Sequence, residues 1–265
     1  MRVPHRLTRT HHDFDQQHAS IGGHDVAAIA QNLHRLVIVP VVEDGFDHVR
    51  VVAGRYRGKE ISLEATQWTR LLANRTVVCL CLMYFTQGFG GAFYVTWLPT
   101  YLASRGLTGM VAGVLAGLPL MLSAAADLLG GVATDRAARR FGLRAGRITI
   151  GGGALAAAGL FTIAGTLVAS PVAAAVLIAL GGASSNFLLG AAWGTCLDIG
   201  GRRSGAVSAA MNTSGQVGAI LSPILVAAVV QRFSNWSAPL YLTGVLFLMG
   251  AWCWWWVDPT KPVSD

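Results

Sequence analysis

Polar and aromatic side chains interrupt long apolar stretches in the second part of the sequence. Such groups are costly in apolar surroundings, so they usually face the interior of a helix bundle or a water-filled cavity. An asparagine offers both a donor and an acceptor to a polar solute, and a tryptophan offers a broad aromatic face. For Asn212 and Gln216 the alternative is a hydrogen bond between neighbouring helices. The candidates for contact with a small polar solute are Tyr84, Gln87, Asn186, Trp193, Asn212, Thr213 and Gln216.

Asp127 is the one carboxylate well inside an apolar stretch. It comes eight residues before Asp135, hence about 12 Å deeper along a helix that rises about 1.5 Å per residue. An ionisable group at that depth is a candidate proton or cation site. A hydrogen bond to the small residues 123–126, or a lateral contact with the arginines after Asp135, is the alternative interpretation.

The other reactive residue types form no catalytic or metal-binding pattern. All histidines precede residue 49, so the apolar part offers no nucleophile paired with a histidine base. The sequence therefore predicts no catalytic residues, no metal site and no cofactor. The cysteines lie in apolar runs without metal-ligand spacing; they are Cys79, Cys81, Cys196 and Cys253.

Composition divides the chain near residue 66. Residues 1–66 hold eight basic and eight acidic residues and all seven histidines, whereas residues 67–265 hold twelve basic and five acidic residues. Only 12% of the chain is charged and 53% is hydrophobic, against about 25% charged in soluble domains. This composition disfavours a soluble enzyme. The basic residues lie in short connections rather than on a broad face, which disfavours nucleic-acid binding.

The N-terminal segment, residues 1–66, is polar and His-rich. Its low apolar content favours a poorly structured arm, although the spacing of His11, His12 and Asp13 admits a metal site. A third hypothesis is that the segment is non-native, translated from a wrong frame or start site.

Residues 67–265 contain six stretches that could cross a membrane, for which about 20 apolar residues suffice. The predicted spans are 76–98, 110–133, 148–168, 172–197, 206–230 and 239–257, and a loop over 135–147 joins the second to the third. The predicted fold class is therefore all-α integral membrane, with six transmembrane helices.

Loop charges predict the orientation of these spans. Basic residues near span ends mark the cytoplasmic side. One side has only Arg105 and Arg232, which puts both termini in the cytoplasm and the protein in the inner membrane. The other side has ten basic residues, Arg70, Arg75, Arg136, Arg139, Arg140, Arg144, Arg147, Arg202, Arg203 and Lys261.

The second span ends in a charged motif. Gly131 precedes Asp135 by four residues, and the arginines Arg136, Arg139 and Arg140 follow. Gly131 would let a neighbouring helix approach closely. Asp135 could accept from a helix N-terminus or pair with an arginine, and the arginines could bind anionic headgroups. Such a patch can form in one conformation and break in another.

This motif resembles the signature loop of the major facilitator superfamily, G-x-x-x-D-R-x-G-R-K/R, with Ala138 in place of the second glycine. Residues 97–102 (WLPTYL), 193–198 (WGTCLD) and 211–216 (MNTSGQ) narrow the resemblance to the anion:cation symporter branch. That branch moves hexuronates, galactonate, glucarate, phthalate and similar organic anions. The resemblance runs from about residue 69 to 257, and none is found for residues 1–65.

The resemblance implies the C-terminal half of a twelve-helix transporter. In such proteins a polar residue on the first of these helices, a late Trp on the fourth and an Asn on the fifth contact the sugar acid. The matching residues are Tyr84 or Gln87, Trp193 and Asn212. The implied partners are a small organic anion with H⁺ or Na⁺, the lipid bilayer, and a missing N-terminal half or a second copy.

No Lys or Arg lies in the middle of a predicted span, so the positive partner of the anion is expected in the other half. We therefore expect a truncated half-transporter that is inactive alone. The alternative is a six-span scaffold or subunit that homodimerises without transport activity.

Overall fold

The computed structural model describes residues 68–263, so the predicted segment 1–66 and its histidines lie outside the described residues. Over the described residues the chain is helical and contains no strand. A 3-10 turn, Gly201–Arg203, joins the helix that ends at Gly200 to the helix that begins at Ser204. The helices are α1 Trp68–Ala73, α2 Arg75–Thr96, α3 Leu98–Ser104, α4 Gly109–Phe141, α5 Leu143–Leu167, α6 Pro171–Phe187, α7 Leu189–Gly200, α8 Ser204–Phe233 and α9 Ser237–Trp254.

Local sequence sets where these helices begin and end. The Asn74 side chain caps α2, since its Oδ1 accepts from the backbone N–H of Thr76 at 2.9 Å and of Val77 at 3.3 Å. Gly142 and Gly201 end α4 and α7 with φ of 86° and 48°. Side chains disfavour that left-handed region, so glycine suits both breaks.

The predicted loop over residues 135–147 is wrong in its extent. α4 continues to Phe141 and α5 begins at Leu143, with only Gly142 between them. Alanine and arginine, which favour helices, dominate the stretch before this glycine. The charged motif therefore lies on the last turns of a 33-residue helix rather than in an open loop.

Among the described residues, five helical stretches are long and apolar enough to cross a membrane, and the longest is Pro171–Phe233. This stretch contains the fourth and fifth predicted spans and doubles back on itself. Cys196 Sγ lies 3.5 Å from Met211 Sδ, although the two residues are 15 positions apart. On one straight helix they would be about 22 Å apart. The stretch therefore contains two crossings, which brings the total to the predicted six.

The two ends of the bundle lie side by side. The Arg75 guanidinium is 3.8 Å from the ring centre of Trp256, and the Asp258 N–H donates to Thr76 Oγ1 at 3.3 Å. Hydrogen bonds from Thr260 hold the pKa of Asp258 below its usual range. Because α2 begins where α9 ends, the number of crossings is even, as six requires.

The buried core lies along α2, which packs against α8 and α9. A Cβ on Gly218 of α8 would collide with the carbonyl oxygen of Phe85, and one on Gly215 would lie 2.6 Å from Tyr84 Cδ1. These glycines let α8 lie directly on α2 and hold the Tyr84 ring in place. The fully buried side chains of α2 include Leu80, Met83, Phe89 and Phe93.

Candidate functional site

Three side chains from three helices form a hydrogen-bonded row, which we call the Gln87 relay: Gln87, Asn186 and Ser123. Gln87 Nε2 of α2 donates to Asn186 Oδ1 of α6 at 3.3 Å. Asn186 Nδ2 donates to Ser123 Oγ of α4 at 2.8 Å and to the Gly182 carbonyl oxygen at 3.1 Å. The Ser123 hydroxyl donates to the Pro119 carbonyl oxygen at 2.7 Å.

The relay unites two predicted candidates and adds a residue that sequence patterns do not reveal. Gln87 and Asn186 are 99 positions apart in sequence and meet across the bundle. Ser123 carries no signal of its own, because a serine inside a helix commonly bonds its own backbone and needs no partner. Only the packing of α4 against α6 identifies it.

An aromatic pair lies beside the relay. The Tyr84 and Trp193 ring centres are 6.3 Å apart and their planes meet at 89°, an edge-on geometry that aromatic rings favour. Tyr84 is buried, whereas Trp193 is 40% exposed. Tyr84 precedes Gln87 by three residues on α2, so the pair and the relay share one face of that helix.

Asp127 is exposed on α4, four residues after Ser123. That spacing places both side chains on one face of the helix. The candidate proton or cation site therefore lies on the side of α4 that also carries Ser123.

The candidates on α8 stand apart from the relay. Asn212, Thr213 and Gln216 are exposed. Among the described residues, the hydrogen bond that ties this stretch to α2 is made by Ser214, whose Oγ donates to the Cys81 carbonyl oxygen at 2.8 Å. Asn212 and Gln216 are one turn apart, so they form a polar face beside the helix contact.

The charged motif is exposed at the end of α4. Asp135, Arg136, Arg139 and Arg140 are all exposed, and the Arg140 guanidinium lies 5.5 Å from the centre of its neighbouring Phe141 ring. The motif thus presents its charges outward, towards water, headgroups or another part of a larger assembly.

Neighbouring helices approach α4 closely at Gly130 and Gly131. A Cβ on Gly130 would collide with the Phe187 carbonyl oxygen, and one on Gly190 of α7 would lie 2.6 Å from the Gly131 Cα. A Cβ on Gly131 itself would meet nothing within 4 Å. A helix therefore does lie against the Gly131 backbone, and the glycines whose missing side chains permit the contacts are Gly130 and Gly190.

Arg147 is a buried arginine of α5, although the pattern of loop charges predicts that it lies in a loop. It is 8% exposed, and its Nε donates to Asp198 Oδ2 at 3.0 Å. Its Nη1 donates to the Gly190 carbonyl oxygen at 3.3 Å. Gly194 makes room for the guanidinium, since a Cβ there would collide with it.

One sequence signal could have found this pair. Gly190, Gly194 and Asp198 recur every four residues, so they form a stripe on α7 that ends in a carboxylate. A small-residue stripe leading to a carboxylate fits a long cationic side chain from a neighbouring helix. The count of basic residues near span ends assigned Arg147 to a loop instead.

Comparison with known proteins identifies related sequences. The family model of the Major Facilitator Superfamily matches residues 38–223. The expectation that no resemblance covers residues 1–65 is thus wrong from residue 38 onward. A probable sulfoacetate transporter, SauU, of Cupriavidus necator is 30% identical over 209 residues, which are 78% of this chain and 48% of that protein.

Two further relatives carry names of organic-acid transporters. A probable L-galactonate transporter of Escherichia coli is 24% identical over 75% of this chain and 45% of its own length. A probable galactarate/D-glucarate transporter, GudP, of Bacillus subtilis is 25% identical over 66% of this chain and 39% of its own length. The chain thus spans about half the length of the curated relatives it matches, or less.

Gly130→Ala and Gly131→Ala form a matched pair that tests the packing of α4. Gly130→Ala should lower the unfolding temperature of the full chain in detergent, because the new Cβ meets the Phe187 backbone. Gly131→Ala should leave it unchanged or raise it, since alanine favours a helix over glycine by about 1 kcal/mol. Equal losses in the two variants would contradict this assignment.

Asp198→Ala should lower the free energy of unfolding by about 3 kcal/mol, because it leaves the Arg147 charge buried and unpaired. The double variant Arg147→Met/Asp198→Ala should recover most of that loss, since no buried charge remains. Asp135→Ala serves as the control, because Asp135 is exposed on α4 and the ion pairs of exposed charges contribute about 0–1 kcal/mol. Unfolding in detergent, followed by circular dichroism, measures all three. A double variant no more stable than Asp198→Ala would refute the account.

Proposed function

The chain belongs to the Major Facilitator Superfamily, and from this membership we propose that residues 67–265 form one six-helix bundle of a transporter for a small organic anion. Transport would proceed by cation-coupled symport with alternating access. The relatives named for sulfoacetate, L-galactonate and galactarate/D-glucarate support the substrate class.

The convergence of polar and aromatic side chains from four helices carries this proposal. Gln87 and Tyr84 on α2 meet Asn186 on α6, Ser123 on α4 and Trp193 on α7. Inside a membrane bundle such groups mark the path of a polar solute. Asn212 on α8 adds an exposed amide that a solute held between two bundles could reach.

The bundle supplies only half of what transport requires. Substrate in this superfamily's architecture lies between two bundles that rock against each other. Among the described side chains the one buried arginine, Arg147, is already paired with Asp198. The positive charge for the anion would therefore come from a second bundle of different sequence.

The exposed motif suits a switch between conformations. Asp135, Arg136, Arg139 and Arg140 are exposed on the last turns of α4, where a second bundle could bind and release them. The positive-inside rule puts this end, together with Arg75 and the C-terminal tail, in the cytoplasm of a cell with the protein in its inner membrane.

Asp127 is the proposed proton or cation site. It lies inside a span, one helical turn after Ser123 of the relay, so a change in its charge would be felt at the proposed solute site. Uptake by an Asp127→Asn transporter with unchanged pH dependence and unchanged Na⁺ dependence would exclude this role.

Trp193→Ala should weaken binding of D-galactonate to the full chain by about tenfold, because the exposed indole face would cover the C–H side of the solute. Trp252→Ala is the matched control, since Trp252 is 67% exposed on α9 and outside the site. Saturation-transfer NMR titration in lipid nanodiscs detects such weak binding. An equal loss of affinity in Trp193→Ala and Trp252→Ala would contradict the role of Trp193.

The full chain alone in proteoliposomes should take up no labelled galactonate, because alternating access needs two bundles. Co-reconstitution with the N-terminal half of the E. coli relative should restore saturable uptake. Uptake by the chain alone, together with a dimeric mass in detergent, would instead show that two copies form the transporter. A dimer that binds no anion would favour the scaffold hypothesis.

A further inference from the structure

We propose that a surface groove along α5 binds an anionic phospholipid, with its phosphate at Arg144 and one acyl chain against the small residues of α5. The helix α5 contributes no side chain to the relay or to the aromatic pair, so this ligand occupies a face that the solute site does not use. The proposal requires only that the bundle spans a membrane, and it is therefore independent of the proposed transport function.

Two open cavities on the bundle form this groove. The first, of about 730 Å³, lies where α4 meets α5, and its lining includes Phe141, Arg144 and Trp255. The second, of about 490 Å³, lies among α4, α5 and α6. Thr149 lines both cavities. The two therefore adjoin, and the residues that line them together are called the α5 groove below.

The groove follows one face of α5 for the depth of a leaflet. Ala145, Thr149, Gly153 and Ala157 line it at intervals of four residues, so they form a row along the helix. Twelve positions separate Ala145 from Ala157, which is about 18 Å along a helix. One leaflet contributes about half of a hydrocarbon core of about 30 Å. An acyl chain that runs from the membrane surface to the bilayer centre therefore fits this row.

The inner part of the α5 groove is apolar. Its walls include Leu129 of α4 and Leu180 of α6, and among its described lining residues only Thr149 and Ser184 are polar. Gly153 leaves the groove open, since a Cβ there would meet nothing within 4 Å. Such a surface favours a hydrocarbon chain over a hydrated ion, which would lose its water without replacement.

Arg144 places an unpaired positive charge at the outer end of the groove. Its side chain is exposed, and over residues 68–263 it makes no hydrogen bond or ion pair. The carboxylate of Asp258, beside this end, accepts from Thr260 Oγ1 at 2.6 Å and lies 3.3 Å from Lys261 Nζ. Asp258 thus has partners of its own. A guanidinium binds phosphate oxygens with two parallel N–H groups, so the charge of Arg144 is complementary to an anionic headgroup.

The surroundings of Arg144 suit the depth of lipid headgroups. The first backbone hydrogen bond of α5 joins the Gly146 N–H to the Gly142 carbonyl oxygen at 2.9 Å, and no described side chain caps the helix. The N–H of Leu143 precedes this bond and can donate to a phosphate oxygen. Phe141 and Trp255, both exposed, flank the cavity, as aromatic side chains do at a membrane interface. A free phosphate would use this end alone, whereas a phospholipid uses the whole groove.

The test is a competition between lipids that share their acyl chains. The full chain in detergent is mixed with equal amounts of phosphatidylglycerol and phosphatidylcholine, and native mass spectrometry counts the lipids retained. Phosphatidylcholine has the same phosphate but a compensating positive charge. We expect one retained phosphatidylglycerol, favoured about fivefold, which is the contribution of one arginine near a membrane surface. Equal retention of the two lipids would overturn the proposal.

A second competition separates a lipid from a free anion. Glycerophosphoglycerol carries the headgroup without acyl chains, and a large excess of it should not displace the retained phosphatidylglycerol. Displacement by glycerophosphoglycerol or by inorganic phosphate would show a simple phosphate site and would overturn the assignment to a lipid.

The headgroup position is tested by Arg144→Gln. This variant should lower the ratio of phosphatidylglycerol to phosphatidylcholine about fivefold while phosphatidylcholine retention holds. Arg202→Gln is the matched control, because Arg202 is another exposed arginine that lies outside the groove, and its ratio should stay unchanged. An unchanged ratio in Arg144→Gln, or an equal fall in both variants, would overturn the role of Arg144.

The acyl-chain position is tested by Gly153→Leu, which fills the open space in the groove. Retention of both lipids should fall about tenfold, since the loss of contact with about two methylene groups suffices for that factor. Gly113→Leu on α4 is the matched control, because a Cβ there also meets nothing within 4 Å and the position lies outside the groove. If Gly153→Leu does not fold, Ala157→Leu in the same row decides. Unchanged retention in the folded variant would refute the acyl-chain site.

Discussion

Backbone contact at glycines is the constraint on which the rest of the bundle depends. Lipid gives helices no hydrophobic reason to associate, so they meet where small residues let backbones touch. Gly215 and Gly218 set α8 on α2, and Gly130 and Gly190 set α4 against the junction of α6 and α7. These contacts determine the spacing of the helices that carry the relay. The arrangement of the polar side chains therefore depends on helix contacts at glycines, which have no side chain.

The charged side chains of the bundle differ in how deeply they are buried. The guanidinium of the buried Arg147 binds the Asp198 carboxylate and the Gly190 carbonyl oxygen, in the space left by Gly194. The motif arginines at the end of α4 remain outside. Under the proposed function, the side chains offered to the solute are neutral apart from Asp127, so recognition by this bundle would depend on hydrogen bonds and aromatic surface more than on charge. Such a division suits a protein in which one bundle holds the charged end of an anion and the other reads its carbon chain.

Hydropathy was sufficient to predict the helical membrane class and all six crossings, because a span is a local property of about 20 residues. It does not predict residues 135–147 correctly, because the density of charged residues there indicates a loop, whereas Ala and Arg favour a helix. Gln87, Asn186, Tyr84 and Trp193 could be proposed as polar or aromatic groups in apolar runs. Their pairings could not, because Ser123 and Asn186 meet only after three helices have packed. Counting basic residues near span ends does not identify Arg147 as buried, because the count takes no account of depth in the bundle.

The junction between the start of α2 and the C-terminal tail also constrains how the protein is made. Asp258 bonds to Thr76 across 182 positions of sequence, and the tail reaches α7 through the Val263 N–H and the Ile199 carbonyl oxygen at 2.8 Å. At a synthesis rate of about 5–20 residues per second, α2 waits about 10–40 s in the membrane before its partner leaves the ribosome. The contact between α2 and this tail therefore forms only after all the intervening helices have been synthesised. A chain interrupted before residue 258 would leave the first turn of α2 without its hydrogen bond from Asp258.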